Sequence, residues 1–158
     1  MPSSALDATD VKILNQLQEN AKLTNVELAA RINLSPSPCL ARTRALEQSG
    51  IISRYVTLLD PTRLGLGLSV FIQVTMERQS ERALENFQSV IVSHAEVMEC
   101  YLMTGDFDYL IRVVVADMPA LERFIVEKLT KIAGISNIKS SLALKQVKYK
   151  TALPLQGA

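Results

Sequence analysis

The 158-residue sequence predicts an α+β protein in which a helical N-terminal region precedes a region of alternating strands and helices. From Leu6 to about Gly50, apolar residues recur at helical spacing, and no alternating run is long enough for a strand. From Leu68 onwards, β-branched runs alternate with amphipathic stretches. Residues 61–67 contain one proline and two glycines, which is typical of a linker. We therefore predict a domain at 1–60, a linker at 61–67 and a domain at 68–158.

Two helices open the predicted N-terminal domain. The apolar stripe of the first helix consists of Val11, Leu14 and Leu17. Asp7 or Thr9 can cap its start, because both side chains can accept a hydrogen bond from a free backbone N–H group. Thr24 and Glu27 have the spacing of a capping box, so a second helix is predicted to begin after Thr24 and to end near Asn33.

A third helix is predicted from Ser35, a good N-cap, to Gly50, a natural C-cap. Pro36 lies in the first turn, where the missing N–H group costs nothing. Residues 51–59 are β-branched and aromatic enough to form a short two-stranded wing. Three helices and a wing make a winged helix-turn-helix, in which the third helix lies in the major groove of DNA.

The predicted C-terminal domain consists of two βαβ units in tandem. Strands are expected at 68–76, 97–103, 109–115 and 136–144, and helices at 80–93 and 118–133. This βαββαβ order gives a ferredoxin-like four-stranded sheet with both helices on one face. No helix is left for the other face, which we expect to carry Val70, Ile72, Val74, Ile111, Val113 and Val115, or their strand neighbours. A bare apolar face of that size favours association, so we predict a homodimer formed sheet to sheet.

The exposed side of the third helix is the candidate DNA reader. At 100° per residue, this side carries small residues that allow a close approach to base edges, with one arginine on each of its borders. Between residues 31 and 54, four arginines accompany a single acidic residue, Glu47, although the whole chain has a net charge of only +1. We expect Glu47, on the far side of the helix, to be the only acidic neighbour of Arg42 and Arg44. The candidate DNA contacts are Ser35, Ser37, Pro38, Arg42, Arg44, Gln48 and Arg54. Ordinary solvated arginines on a surface helix would give the same pattern.

Motifs along nearly the whole chain point to one family. The N-terminal group comprises Asn25-Val26-Glu27-Leu28 and Leu34-Ser35-Pro36-Ser37-Pro38-Cys39-Leu40, followed by Arg42, Arg44, Leu46, Glu47, Gly50 and Ile52. The C-terminal group comprises Glu99-Cys100-Tyr101-Leu102, Thr104-Gly105-Asp106-Phe107-Asp108-Tyr109-Leu110 and Asp117-Met118. In combination and order, they resemble the leucine-responsive regulatory protein, or feast/famine, family of transcription factors, and its leucine-responsive branch more than its asparagine-responsive branch. The resemblance implies a ligand-sensing ferredoxin-like module, dimers that assemble into octamers, and an amino acid bound where dimers meet.

The segment 104–108 matches the effector-loop motif of that family. It also suits an amino acid chemically, because Gly105 permits close backbone approach to a carboxylate and Asp106 or Asp108 can accept an ammonium group. A polar β-turn between two strands would use the same residues. With the positions that the resemblance adds, the candidate effector contacts are Leu102, Thr104, Gly105, Asp106, Phe107, Asp108, Met118, Ser140, Leu142 and Ala143. The apolar members favour leucine or methionine, although Ile138 stands where many relatives have a threonine.

Catalysis, metal binding and membrane insertion are not expected. His94 is the only histidine, no Cys-His cluster has metal-ligand spacing, and no glycine-rich loop follows a strand. The sequence has neither an apolar run of about 20 residues nor a signal peptide, so we expect a cytoplasmic protein without cofactor or membrane contact. The expected partners are double-stranded DNA and an amino acid. The alternative is an amino-acid-sensing module whose helical domain binds a protein, which the near-neutral charge favours and the basic window does not.

Overall fold

The computed structural model describes residues 6–155, which fall into two compact units. The first unit contains residues 6–58 and the tail residues 147–155, whereas the second unit spans Leu59–Gln146. The boundary after Leu58 lies close to residue 60, where the first domain is predicted to end. The tail departs from the prediction of one domain at 68–158, and the outer domain ends at residues 1 and 158 lie outside the described residues. Among residues 6–155, no helix is long and apolar enough to cross a membrane.

The first unit contains the three predicted helices. They are α1 (Ala8–Glu19), α2 (Asn25–Arg31) and α3 (Pro36–Gln48). The predicted capping box of Thr24 and Glu27 is present, and Asp7 and Asp10 form a second capping box at α1. Gly50 follows α3 with φ 77°, a left-handed conformation that glycine adopts without strain.

The helices pack around a small apolar cluster consisting of Ile13, Leu14, Leu28, Ala29, Ile32, Cys39 and Leu46. The angle between α2 and α3 is also fixed by a polar contact, because Asn25 Nδ2 donates a hydrogen bond of 2.8 Å to the Pro36 carbonyl oxygen. Ser35 precedes α3 as predicted, but its side chain makes no capping hydrogen bond. The first turn of α3 therefore keeps a hydroxyl group exposed at its N-terminus.

The segment predicted to form the wing is not paired. Residues 53–60 have no regular secondary structure, so the two strands expected within 51–59 are not formed. Val56, Leu58 and Leu59 are exposed there. The Tyr55 hydroxyl donates to Glu47 Oε1, and burial of this hydroxyl, followed by that contact, raises the pKa of Tyr55 to about 12. Strand-favouring residues form a strand only where a partner supplies hydrogen bonds, and none of the described residues does so here.

The second unit is a four-stranded antiparallel sheet with strand order β2-β3-β1-β4. The strands are β1 (Leu68–Met76), β2 (Val97–Leu102), β3 (Tyr109–Val115) and β4 (Ile135–Leu142). The helices are α4 (Glu81–Ile91) and α5 (Met118–Arg123), and α5 continues as a π turn at Phe124–Lys128 and a 3-10 turn at Leu129–Lys131. This is the predicted βαββαβ topology, with an irregular second helix.

The apolar strand residues face the helices, not the open side of the sheet. The buried members are Val70, Ile72, Val74, Ile111, Val113 and Val115, and they share one core with Phe87, Ile91, Leu121 and Phe124 of the helices. The opposite, open face carries the strand neighbours, among them Phe71, Gln73, Leu110 and Arg112. The expectation of a bare apolar face is therefore wrong: Arg112 forms an ion pair with Glu99 on this face, and apolar and polar residues alternate across it.

Candidate nucleic-acid interface and effector loop

Helix α3 presents its predicted DNA-contact side to solvent. Cys39 and Leu46 are buried against the other helices, which fixes the rotation of α3 about its axis. Six of the seven candidate contacts are exposed: Ser35, Ser37, Pro38, Arg44, Gln48 and Arg54. Ala41 and Ala45 are exposed between them, so no large side chain prevents the backbone of α3 from approaching a groove.

Arg42 is the exception. Its Nη1 lies 2.6 Å from Asp7 Oδ2 and 2.9 Å from Asp10 Oδ1, so the expectation that Glu47 is its only acidic neighbour is wrong. A hydrogen bond from the Asp10 backbone, followed by the Arg42 guanidinium, holds the pKa of Asp7 below its usual value, and the two carboxylates raise the pKa of Arg42. Arg42 thus ties α3 to the N-terminus of α1, where the helix dipole also favours the carboxylates.

The candidate effector loop, residues 104–108, lies between β2 and β3. Thr104, Gly105 and Asp106 are exposed, and Gly105 has φ 122°, a backbone conformation that other residues rarely adopt. The Met103 N–H group donates to the Asp108 carbonyl oxygen at 2.8 Å and closes the loop. The exposed carboxylate of this loop is Asp106, which leaves it available to an ammonium group.

Asp108 is buried, with 5% of its surface exposed. Its Oδ2 accepts a hydrogen bond of 2.7 Å from the Met76 N–H group, and its Oδ1 accepts one of 2.7 Å from Gln79 Nε2. The Asp108 N–H group donates to the Val74 carbonyl oxygen. Both carboxylate oxygens of Asp108 therefore hold the loop to the end of β1 and the residues just after it. An ammonium group bound to Asp108 would have to share these oxygens with Met76 and Gln79.

Nine of the ten candidate effector residues fall into two groups at opposite ends of the sheet, and Ser140 lies between them, where it pairs with Ile72. The loop and Leu102 lie at the end where Tyr109 pairs with Val74. The second group, Met118, Leu142 and Ala143, lies at the end where Val115 pairs with Leu68, and the Ala143 N–H group donates to the Ser69 carbonyl oxygen. Strand β3 is seven residues long, so these ends are about 20 Å apart. One chain does not bring the two groups together.

An apolar groove begins at Met118 and runs along α5. The groove has a volume of about 450 Å³ and is lined by Met118, Pro119, Leu121, Glu122, Ile125 and Val126. Met118 itself is 55% exposed, and Val126 is 57% exposed. A mostly apolar lining of this kind accommodates an aliphatic or thioether group of a ligand.

Comparison with known proteins identifies both units. A family model described as winged helix-turn-helix DNA-binding matches residues 6–53, and one described as Lrp/AsnC ligand binding domain matches residues 69–153. The chain belongs to the Lrp/AsnC family. It is 38% identical to the leucine-responsive regulatory protein of Klebsiella pneumoniae over 155 residues, which cover 98% of this chain and 94% of that protein. The corresponding protein of Escherichia coli K12 is 37% identical over the same coverage.

Solved structures of this family agree with the fold. A transcriptional regulator from Neisseria meningitidis, solved in complex with L-Met, has a TM-score of 0.91 and 44% identity, covering 95% of this chain and 97% of that one. An AsnC family regulator from Agrobacterium tumefaciens has a TM-score of 0.90 and 40% identity, covering 94% of this chain and 97% of that one. E. coli AsnC has a TM-score of 0.85 and 27% identity, covering 92% of this chain and 97% of that one.

Membership in the Lrp/AsnC family confirms the predicted fold class and the general function. The chain is a DNA-binding transcription regulator with a ligand-binding domain, and its relatives are regulators, not enzymes. The alternative of a helical domain that binds only a protein is not favoured. Sequence reasoning missed the partners of two candidate residues, namely Asp7 and Asp10 for Arg42, and Gln79 for Asp108. These partners are distant in the sequence from the residues that they contact, so no local pattern could have revealed the contacts.

Proposed function

We propose that this Lrp/AsnC regulator reads DNA with α3 and binds leucine or methionine at a site completed by a second copy of the chain. The observation that carries the DNA-reading role is the exposed face of α3, where Ala41 and Ala45 leave room for base edges beside Gln48 and Arg44. Arg44, Arg54 and the hydroxyl groups of Ser35 and Ser37 are suited to phosphate or base contacts. Pro38 adds a small apolar surface to the same face.

Arg42 has a divided role in this proposal. Its Nη1 is engaged with two carboxylates, whereas its side chain is 38% exposed. The remaining N–H groups of the guanidinium can reach a phosphate at the border of the groove. We therefore expect Arg42 to support DNA binding both directly and by holding α3 against α1.

Binding to a duplex selected by the wild-type protein from a random pool tests the DNA-reading role of α3. Arg44→Ala is expected to lower the affinity for the duplex. If one phosphate contact is lost, the slope of log affinity against log salt concentration is expected to become shallower by about one. Arg63→Ala is the matched control, because the Arg63 side chain is 88% exposed, lies outside α3 and forms an ion pair with Asp60. Equal affinity of wild type and Arg44→Ala at all salt concentrations would exclude the proposed contact.

The effector site is proposed to combine the loop end of one sheet with the Met118 end of another. Gly105 and Asp106 are suited to the carboxylate and ammonium groups of an amino acid, and Met118, Leu142 and Ala143 are suited to an apolar side chain. Thr104, Phe107, Ser140 and Leu102 border these groups. The L-Met complex of the Neisseria relative supports a ligand of this class. Because the two ends are separated in one chain, the proposal requires assembly.

Calorimetric titration with common amino acids tests the ligand. Each buried methylene group is worth about 0.8 kcal/mol, so leucine and methionine are expected to bind comparably and more tightly than alanine. Lysine and aspartate are expected to bind weakly, since an apolar lining leaves their charged groups unpaired. Tight binding of either charged amino acid would contradict this assignment.

Assembly through the open face of the sheet completes the proposal. Phe71, which is 38% exposed, and Leu110 give this face an apolar centre between polar neighbours. We expect a homodimer through this face and octamers built from dimers, acting in the cytoplasm without a cofactor. Light scattering on the purified protein tests the assembly, and a monomer at micromolar concentration would refute it.

A further inference from the structure

The C-terminal tail returns to the helical unit after the last strand of the sheet. Residues 147–155 belong to the same compact unit as α1, α2 and α3. Residues 145–155 contain no regular secondary structure. Leu155 nevertheless packs against the apolar cluster of the three helices. A specific contact therefore places this segment of the tail without help from a helix or a strand.

Gln18 provides the polar half of that contact. Its Oε1 accepts a hydrogen bond of 2.6 Å from the Leu153 N–H group, and its Nε2 donates one of 3.3 Å to the Leu153 carbonyl oxygen. One primary amide thus satisfies both backbone groups of a single tail residue, as a neighbouring strand would. The Leu153 side chain is 68% exposed, so this grip depends on the backbone of Leu153 and not on its side chain.

Leu155, which follows Leu153 by two positions, provides the apolar half. It is partly buried against a cluster that includes Ile13 and Leu14 of α1, next to the turn of α1 that carries Gln18. The Leu155 N–H group donates to the Leu153 carbonyl oxygen at 2.9 Å, which turns the chain sharply toward the cluster. Hydrogen bonds to the backbone of one residue, followed by a buried apolar side chain two positions later, are typical of a docked peptide segment.

We propose that α1 carries a docking slot, formed by Gln18 and the adjoining apolar cluster, and that its occupant is the chain's own C-terminal tail. The DNA-binding unit is then attached to the ligand-binding unit twice, through the chain at Leu58 and through the docked tail. The tail continues from β4, whose last residue, Leu142, belongs to the proposed effector site. The docking itself is independent of the proposed function, whereas its use in transmitting ligand binding to α1 rests on it.

Hydrogen exchange of the full chain tests the docking. The peptide covering residues 151–158 is expected to exchange at least about tenfold faster in Gln18→Ala and in Leu155→Ser than in the wild type. Gln16→Ala and Leu153→Ser are matched controls, because Gln16 bonds Arg31 and not the tail, and the Leu153 side chain is exposed. Both controls are expected to match the wild type. Equal exchange in all five proteins, or an unprotected tail in the wild type, would overturn the proposal.

Duplex binding with and without methionine tests the regulatory consequence. In the wild type, methionine is expected to change DNA affinity, and in Gln18→Ala this change is expected to shrink toward none while both single binding reactions persist. A full methionine response in Gln18→Ala would show that the docked tail does not transmit the signal. If the wild type bound no DNA or no amino acid, the proposed function would fail, and the exchange experiment would still decide the docking.

Discussion

Replacing Asp108 separates a structural role of its carboxylate from a role in binding the effector. From the sequence alone, the expectation is that Asp108→Ala abolishes the effector response and leaves DNA binding without effector intact. The structure gives a different expectation, since this carboxylate is buried and accepts hydrogen bonds from Met76 and Gln79. We now predict that Asp108→Ala destabilises the ligand-binding unit itself.

The size of this loss follows from the two hydrogen bonds. A hydrogen bond to a charged group contributes about 1.5–3 kcal/mol, and a buried N–H group left without an acceptor costs about 1–3 kcal/mol. In Asp108→Ala, the Met76 N–H group loses its acceptor and stays buried, whereas the exposed Gln79 side chain can form a hydrogen bond with water instead. We therefore expect a loss of about 3 kcal/mol. In a unit of about 90 residues, this lowers the melting temperature by roughly 15 °C.

Asp108→Asn provides the control. An asparagine has the same shape, and its oxygen can accept from the Met76 N–H group while its amide group donates to a rotated Gln79 side chain. Neutral hydrogen bonds replace charged ones, so we expect a loss of only about 1 kcal/mol. The negative charge is removed in the same step, which tests the effector role without loss of the fold.

Differential scanning calorimetry and methionine titration of both variants give the answer. A stable Asp108→Asn variant that no longer binds methionine would assign the carboxylate to the ammonium group of the effector. A stable variant that binds normally would leave the carboxylate with its structural role and direct attention to Asp106. If Asp108→Ala melts at the wild-type temperature, the structural reasoning is refuted.

Three further predictions concern other regions of the molecule. Arg42→Ala is expected to lower the melting temperature of the helical unit, because Arg42 joins α3 to α1, whereas Arg44→Ala is expected to weaken only duplex binding; equal melting of the two variants would contradict this. The Lys128 side chain holds the pKa of Glu96 below its usual value, so the pair stabilises the fold above about pH 5 and loses this effect as the pH falls through the lowered pKa. Thermal melts of Lys128→Met are therefore expected to fall below wild type at pH 7 and to converge with it near pH 3. Phe71→Lys places a charge in the proposed dimer face and is expected to shift light scattering toward monomer, and an unchanged mass would exclude that face.

Local signals in the sequence predicted most of the secondary structure. The capping box of Thr24 and Glu27 is confirmed, and α3 ends two residues before Gly50, which follows the helix in a left-handed conformation. Each depends on residues no more than four positions apart, so composition and spacing are sufficient to find it. The fold class followed because periodicity changes from helical to strand-like near residue 68.

The second helix of the sheet unit shows where periodicity is misleading. One continuous helix is predicted for 118–133, but a π turn at Phe124–Lys128 interrupts it. The fully buried residues Phe124 and Leu129 are five positions apart, which in an α-helix would place them on different sides. A π turn, with hydrogen bonds from residue i to i+5, brings both to the sheet. Packing against the sheet, not local preference, decides this segment.

The sequence supplies a set of candidate site residues but not their arrangement. The effector loop and α3 lie where motifs placed them, yet the partners of Arg42 and Asp108 come from positions about 30 residues away. Hydrogen bonds of this kind depend on the final packing of separate elements. The two-stranded wing predicted within 51–59 is not formed for a related reason. A strand-forming segment needs a hydrogen-bonding partner, which the described residues of this chain do not supply.

The separation of the effector residues has a thermodynamic consequence for regulation. A ligand that binds only where two copies meet stabilises the assembled form by mass action, and by linkage the assembly raises ligand affinity to the same extent. In the proposed mechanism, the apparent affinity for methionine rises with protein concentration until assembly is complete. A site formed by one chain would show no such dependence. The sheet, about 20 Å long between the loop and the Met118 end, is too long for a single free amino acid to contact both ends at once. In the proposed mechanism, effector sensing and assembly are therefore one equilibrium, and the docked tail beyond β4 would carry its outcome to α1.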